Sequence, residues 1–255
     1  MRIARYSYEG EVRYGAVEGT DVLELPGHPF AAVGRTLTTT GTSHDLDDVR
    51  LLAPVIPTKV VGIGRNYAEH AAEMGGSAPP ERPLMFLKPT TALIGPDEAI
   101  VLPPESSEVH FEAELAVVIG RLCRRVPADE AASVVLGYTC ANDVTARDLQ
   151  RSDGQWTRAK GFDTFCPLGP WIDTELDPTG VTVECEVNGV TTQRASTTDL
   201  VHGIPELIAA VSDVMTLLPG DVILTGTPAG VGPLTSGDEV AVTISGLGTL
   251  VNPVR

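Results

Sequence analysis

His110-Phe111-Glu112-Ala113-Glu114-Leu115-Ala116-Val117-Val118-Ile119-Gly120 is an apolar, β-branched run interrupted by two carboxylates two residues apart. Residues of this kind favour a strand, and a strand sends successive side chains to opposite faces. Glu112 and Glu114 then point one way, and Ala113, Leu115 and Val117 the other. Two like charges in one small buried space are costly unless a proton or cation offsets them, and a hard divalent metal held by oxygen ligands is one solution. The plain alternative is a strand of an antiparallel sheet with one face in water. On this stretch alone both readings stand.

The next strand-like run, from Val134 to Ala141, gives way to Asn142-Asp143-Val144-Thr145-Ala146-Arg147-Asp148-Leu149-Gln150. Asp143 therefore stands where an apolar strand turns polar and offers a third carboxylate; its competing reading is a turn or N-cap aspartate. Lys160 lies among small and aromatic residues in the segment Arg158 to Phe165, and Thr225-Gly226-Thr227-Pro228-Ala229-Gly230-Val231-Gly232 follows the apolar run Val222-Ile223-Leu224.

A helix is expected from Asn66 to Met74, capped by Asn66 with Glu69 completing a capping box and stopped by Gly75-Gly76. On it His70 and Glu73 share a face. A carboxylate beside an imidazole orients it and raises its basicity, as a general base requires; the alternative is an exposed pair of small energetic worth. Residues Gly75 to Pro83 are polar, glycine-led and proline-rich, as expected of a mobile segment.

Short β-branched runs punctuated by Gly and Pro dominate elsewhere: Lys59 to Gly62, Leu115 to Ile119, Val134 to Cys140, Val181 to Val187, Asp221 to Thr225 and Glu239 to Ile244. With 26 glycines and 20 prolines this spacing predicts a mainly β fold with short helices, of the α+β class. Val181 to Val187, Asn188-Gly189 and Val190 to Gln193 read as a hairpin with a type I′ turn. Glu184 and Glu186 repeat the paired-carboxylate pattern there, but with no third ligand nearby they read as a solvated strand face. A second helix is expected over Ile204 to Leu218. The junction Ala53-Pro54-Val55-Ile56-Pro57 divides a small N-terminal domain, 1–53, from a main domain, 54–255.

The chain has 34 acidic against 18 basic residues, a formal charge of −16, which argues against nucleic acid or an anionic membrane as partner. An anionic substrate must then meet local positive charge, which Arg65, Arg147, Lys160 and a metal could supply. The first residues lack the apolar core of a signal peptide, and no run approaches the ~20 apolar residues of a membrane span, so a cytoplasmic protein is expected. The four cysteines, at 123, 140, 166 and 185, form no C-x-x-C pair and read as buried thiols. Cys166 as a nucleophile is disfavoured, because an apolar setting raises a thiol's pKa. Gly62-Ile63-Gly64 fails as a dinucleotide fingerprint, since the third glycine would fall at Tyr67. The glycines of 226–232 lack the Gly-Lys-Ser/Thr of a phosphate loop and are expected to let backbone approach a ligand.

Several separated motifs, in order, resemble the fumarylacetoacetate hydrolase family: Gly64-Arg65-Asn66-Tyr67 with His70 and Glu73, Phe86-Leu87-Lys88-Pro89, Glu112-Ala113-Glu114-Leu115, Asn142 to Asp148, Lys160-Gly161-Phe162-Asp163 and Thr225-Gly226-Thr227-Pro228. The resemblance covers roughly residues 55 to 255 and implies the mixed β-roll of that family, preceded by its small, variable N-terminal domain, as a homodimer. It implies a Mg²⁺- or Mn²⁺-dependent enzyme acting on a small anionic 2-oxo or 2,4-dioxo acid, with Glu112, Glu114 and Asp143 as metal ligands. In the reaction so implied, His70, oriented by Glu73 on a lid, activates water to cleave a carbon–carbon bond of an acylpyruvate- or fumarylpyruvate-type substrate, releasing pyruvate as an enolate. Lys160 and Arg147 would hold negative charge, and Gln150 and Thr227 would hydrogen-bond substrate oxygens. The same residues could serve decarboxylation or keto–enol isomerisation of a related diacid. A non-catalytic oxo-acid or metal-binding protein and a cysteine-dependent hydrolase are the readings from other classes.

Overall fold

The computed structural model of the chain describes residues 1–32, 37–73, 75 and 80–255. The first part supplies five strands, β1 Arg2–Tyr8, β2 Glu11–Glu18, β3 Asp21–Glu24, β4 Ser43–Asp45 and β5 Arg50–Leu52. There follow β6 Val60–Gly64, the helix α1 Ala68–Glu73, β7 Leu84–Lys88, β8 Leu93–Ile94, β9 Val109–His110, β10 Ala113–Ile119, β11 Val135–Asn142 and β12 Thr145–Ala146. Two short helices, α2 Arg147–Asp153 and α3 Thr157–Lys160, lead to β13 Cys166–Asp173. The hairpin β14 Thr182–Val187 and β15 Val190–Ser196, the helix α4 Ile204–Val214, and the strands β16 Val222–Leu224, β17 Glu239–Ile244 and β18 Gly248–Pro253 complete the fold. The mainly β expectation holds.

One large sheet runs in the order β4-β3-β2-β1-β13-β11-β10-β16-β6-β7. Its pairs are antiparallel except β16 with β6 along that path and β13 with the short β8 beside it. The N-terminal strands are continuous with the rest, because Arg2 and Ile3 of β1 pair with Asp173 and Ile172 of β13. A smaller sheet, β15-β14-β17-β18, covers one face. Asn188 and Gly189, both at positive φ, form the expected tight turn between β14 and β15.

Strand β10 lies near the middle of the large sheet, and all seven of its residues are buried. Its alternation sorts the core into two layers. Ala113, Leu115, Val117 and Ile119 pack with Val183, Cys185, Val242 and Leu250 of the small sheet, whereas Ala116 and Val118 pack with Ile3, Leu168 and Ile172. A strand covered on both faces has no wet side, so the alternative reading of the Glu112–Glu114 pair fails here.

Two helix expectations need correction. α4 ends at Val214, short of Leu218, because Leu217 instead exchanges backbone hydrogen bonds with Cys123. Asn66 does not cap α1. Its Nδ2 donates to the carbonyls of His202 and Thr225, and its Oδ1 accepts from the His202 N–H, so tertiary partners have claimed the capping side chain. Met74, the expected end of that helix, lies outside the described residues, as do residues 76–79 of the expected mobile segment. Among the described residues no helix is long and apolar enough to cross a membrane.

Candidate functional site

Glu112 immediately precedes β10, Glu114 lies within it and Asp143 follows β11; all three are buried, with ligand oxygens within 4.8 Å of one another. Strand register brings them together. Ala113 pairs with Asn142 across β10 and β11, the Asp143 N–H donates to Glu112 O at 2.9 Å, and Asn142 Oδ1 accepts from the Glu112 N–H at 2.9 Å. The N-cap reading of Asp143 fails, since its carboxylate accepts instead from Lys88 Nζ at 2.6 Å and Lys160 Nζ at 2.5 Å.

Charge is unevenly shared among the three. Burial alone would raise the Glu112 carboxyl, but Arg147 and Lys160 outweigh it and hold the group well below the usual carboxylate range. Arg147 donates to Glu112 Oε1, and Lys160 Nζ reaches Oε2 at 2.7 Å. Burial likewise works against the Lys160 ammonium, yet Asp143 and Glu112 keep it charged. Glu114 differs. Burial, then the charges of Asp143 and Glu112, push it well above the carboxylate range. It has no ion-pair partner among the described residues; the Gly226 N–H donates to it at 2.6 Å. An all-oxygen donor set with one buried, uncompensated carboxylate fits a hard divalent cation such as Mg²⁺ or Mn²⁺.

These carboxylates line a cavity of about 200 Å³ together with Arg65, His70, Arg147, Gln150, Lys160 and Thr227, while Glu73 stands behind His70. His70 is buried, with Nδ1 3.2 Å from Glu73 Oε2. A carboxylate oxygen accepts, so Nδ1 is the donor of this bond, and in the neutral imidazole Nε2 is the nitrogen with the lone pair. Glu73 is itself held by the Gly230 N–H, 3.1 Å from Oε1. Thus α1 and the 226–232 loop fix the pair together. Gln150 uses Oε1 to accept from Arg147 at 2.9 Å, which leaves its NH₂ group for the cavity. Arg147 is committed to Glu112 and Gln150, whereas Arg65 has no ion-pair or side-chain hydrogen-bond partner among the described residues.

In the sequence Lys88 carries no role of its own beyond the motif Phe86-Leu87-Lys88-Pro89. The structure buries it completely at the end of β7, on Asp143 and, at 3.2 Å, on the Val144 carbonyl. A lysine closing an apolar strand before a proline was the available signal. Lys160 is placed by packing as well as charge: its Nζ lies 4.7 Å from the Phe86 ring centroid. Phe86 in turn occupies the space over Gly62, where a Cβ would fall 2.2 Å from the ring. The glycines of 226–232 bring backbone onto Glu114 and Glu73. All four cysteines are buried and free, and burial pushes the Cys140, Cys166 and Cys185 thiols up to about 12, as inert thiols require. Glu184 instead pairs with Arg194 on a partly exposed face.

Residues 59–255 match the family profile "Fumarylacetoacetate (FAA) hydrolase C-terminal", and residues 1–54 match "Rv2993c-like, N-terminal". The crystal structure of a 5-carboxymethyl-2-hydroxymuconate delta-isomerase from Mycobacterium smegmatis is similar over 100% of this chain and 99% of that one, at 53% identity and a TM-score of 0.92. The mitochondrial oxaloacetate tautomerase FAHD2A of Bos taurus is 44% identical over 247 residues, 92% of this chain and 78% of that protein. A maleylpyruvate hydrolase from Sphingobium sp. SYK-6, solved with manganese(II) and pyruvate, is 34% identical with a TM-score of 0.81, covering 100% of this chain and 98% of that one.

Proposed function

From the premise that the chain belongs to the fumarylacetoacetate hydrolase family, we propose that it is a divalent-metal-dependent enzyme that isomerises a small anionic 2-oxo diacid. The observation that carries this reading is one cavity holding both the buried Glu112, Glu114 and Asp143 and the Glu73-bonded His70. Glu112, Glu114 and Asp143 would hold the ion, which when bound polarises the oxo group as a Lewis acid.

The chain's own residues account for the rest. His70 Nε2 takes a proton from the carbon beside the oxo group and returns it to the product, so that atoms and charge are conserved. Glu73 stabilises the imidazolium formed between the two transfers. Lys160 spends two hydrogen bonds on Glu112 and Asp143 and retains a third N–H for the developing oxyanion. Arg65, Gln150 and Thr227 line the cavity; Arg65 would meet the substrate's far carboxylate, and Gln150 and Thr227 its oxygens.

Sequence alone favours hydrolysis of a carbon–carbon bond. Isomerisation moves ahead because it needs only the proton transfers that His70 can make, whereas hydrolysis also requires an oriented water. The isomerase and the tautomerase are moreover the more similar relatives. Hydrolysis of an acylpyruvate or fumarylpyruvate is the second reading, favoured by the maleylpyruvate hydrolase neighbour. A panel of oxaloacetate, hydroxydienoate diacids, acylpyruvates and fumarylpyruvate, assayed with Mg²⁺ by absorbance and by product identification, separates them. Isomerised product of unchanged mass supports the proposal; release of pyruvate with a carboxylic acid replaces it by hydrolysis, and turnover of none of them contradicts both.

A further inference from the structure

Gln193 holds none of the roles given above, yet its carboxamide joins three parts of the site. It projects from β15 of the small sheet and is 1% exposed. Oε1 accepts from the N–H of Ala113, the residue between Glu112 and Glu114, at 3.0 Å. Nε2 donates at 2.8 Å to the Pro228 carbonyl and at 2.8 Å to Thr227 Oγ1. The orientation of this amide is forced. A backbone N–H can only donate and a carbonyl only accept, so a flipped amide would lose both partners.

The polarity of Thr227 follows. Nε2 has two protons, one on Pro228 O and the other on Thr227 Oγ1, so the threonine oxygen accepts and its own proton remains unspent. Among the described residues that hydroxyl donates to no protein group, and Thr227 lines the cavity. The same strand seats the rest of the loop. At Gly230, φ +98, a Cβ would fall 2.1 Å from Thr192 O, so the loop lies directly on β15 while the Gly230 N–H holds Glu73.

We infer that Gln193 is a positioning residue that fixes Thr227 as a hydrogen-bond donor to the carboxylate end of a bound 2-oxo acid, and so sets the affinity for that end. The inference rests on the function proposed above. Without the Gln193 donor the Thr227 hydroxyl is free to turn its proton away from the cavity and present lone pairs to an anion.

A calorimetric double-mutant cycle tests it without any turnover assay. Mg²⁺ and then oxalate, which reproduces the chelating end of a 2-oxo acid, are titrated into wild type, Gln193→Glu, Thr227→Val and the double variant. Gln193→Glu keeps an oxygen for the Ala113 N–H but sets an acceptor against the Pro228 carbonyl and Thr227 Oγ1, which draws the hydroxyl proton away from the cavity. The Mg²⁺ Kd should stay within ~3-fold, while the oxalate Kd rises ~10-fold or more in each single variant, the scale of a hydrogen bond to a charged group. The double variant should lose no more than either single one, because both remove the same bond. Losses that multiply, as direct repulsion by the new carboxylate or general loosening would produce, overturn the inference, as does an unchanged oxalate Kd in Gln193→Glu. Gln193→Met, which is neutral, should give the same non-additive loss and replaces Gln193→Glu if circular dichroism shows that variant unfolded. A wild type that binds Mg²⁺ but not oxalate overturns the inference alone, and one that binds neither overturns the proposed function with it.

Discussion

His70→Ala is expected to lose about 10²–10⁴-fold in turnover, the usual cost of removing a general base, while its Mg²⁺ affinity stays within ~2-fold of wild type. The separation follows from the arrangement of the pair. Nδ1 is occupied by Glu73, leaving Nε2 for chemistry, and the oxygen cluster that suits a metal is complete without an imidazole. Glu73→Gln should lose less, because a single amide oxygen at the Oε2 position can still accept from the Gly230 N–H, 3.3 Å away, and from Nδ1 but no longer offsets an imidazolium. Steady-state kinetics beside calorimetry read both quantities. A fall in Mg²⁺ affinity in His70→Ala would make the histidine a metal ligand; unchanged turnover would return α1 to a structural role.

Lys88→Met should destabilise the metal-free protein by about 3 kcal/mol, near the lower end of the range for breaking a buried ion pair. Lys88 has no exposure through which solvent could screen its charge, and Asp143 would be left with Lys160 as its sole cationic partner. Saturating Mg²⁺ should restore part of the loss, since a ligand that binds the folded state alone stabilises it by mass action. Urea unfolding in EDTA and in excess Mg²⁺ measures both. A change below ~1 kcal/mol in EDTA would mean that this pair contributes nothing to holding Asp143 in place.

Strand β10 was legible because one alternating pattern constrained it twice. Period two put Glu112 and Glu114 on one face, and the apolar positions between them are those that pack beneath the small sheet. The β14–β15 hairpin was legible because Asn188-Gly189 specifies its own backbone conformation. Long-range partners were not legible. Asn66 has the composition of a cap and spends its amide on residues 136 and 159 positions away. Lys88 meets Asp143 across 55 residues, and Gln193 meets Ala113 across 80. In each case the side chain's polarity announced a need for partners, and only the fold determined which. Prolines mark the junction at 53 and 54, yet the strands before it continue the sheet of the residues after it through β1 and β13. No local composition marks such a pairing.

Mg²⁺ titration of EDTA-treated protein, comparing wild type with Glu114→Gln and Glu186→Gln, tests the metal centre most directly. The two variants remove the same charge from paired-carboxylate strands, one buried in the oxygen cluster and one on the outer hairpin. Binding in wild type, retained within ~2-fold in Glu186→Gln and weakened by ~10²-fold or more in Glu114→Gln, is the result expected when a ligand is taken from a hard oxygen site. Equal affinities in the two variants, or no binding by wild type, would contradict the assignment of Glu112, Glu114 and Asp143 as a metal centre.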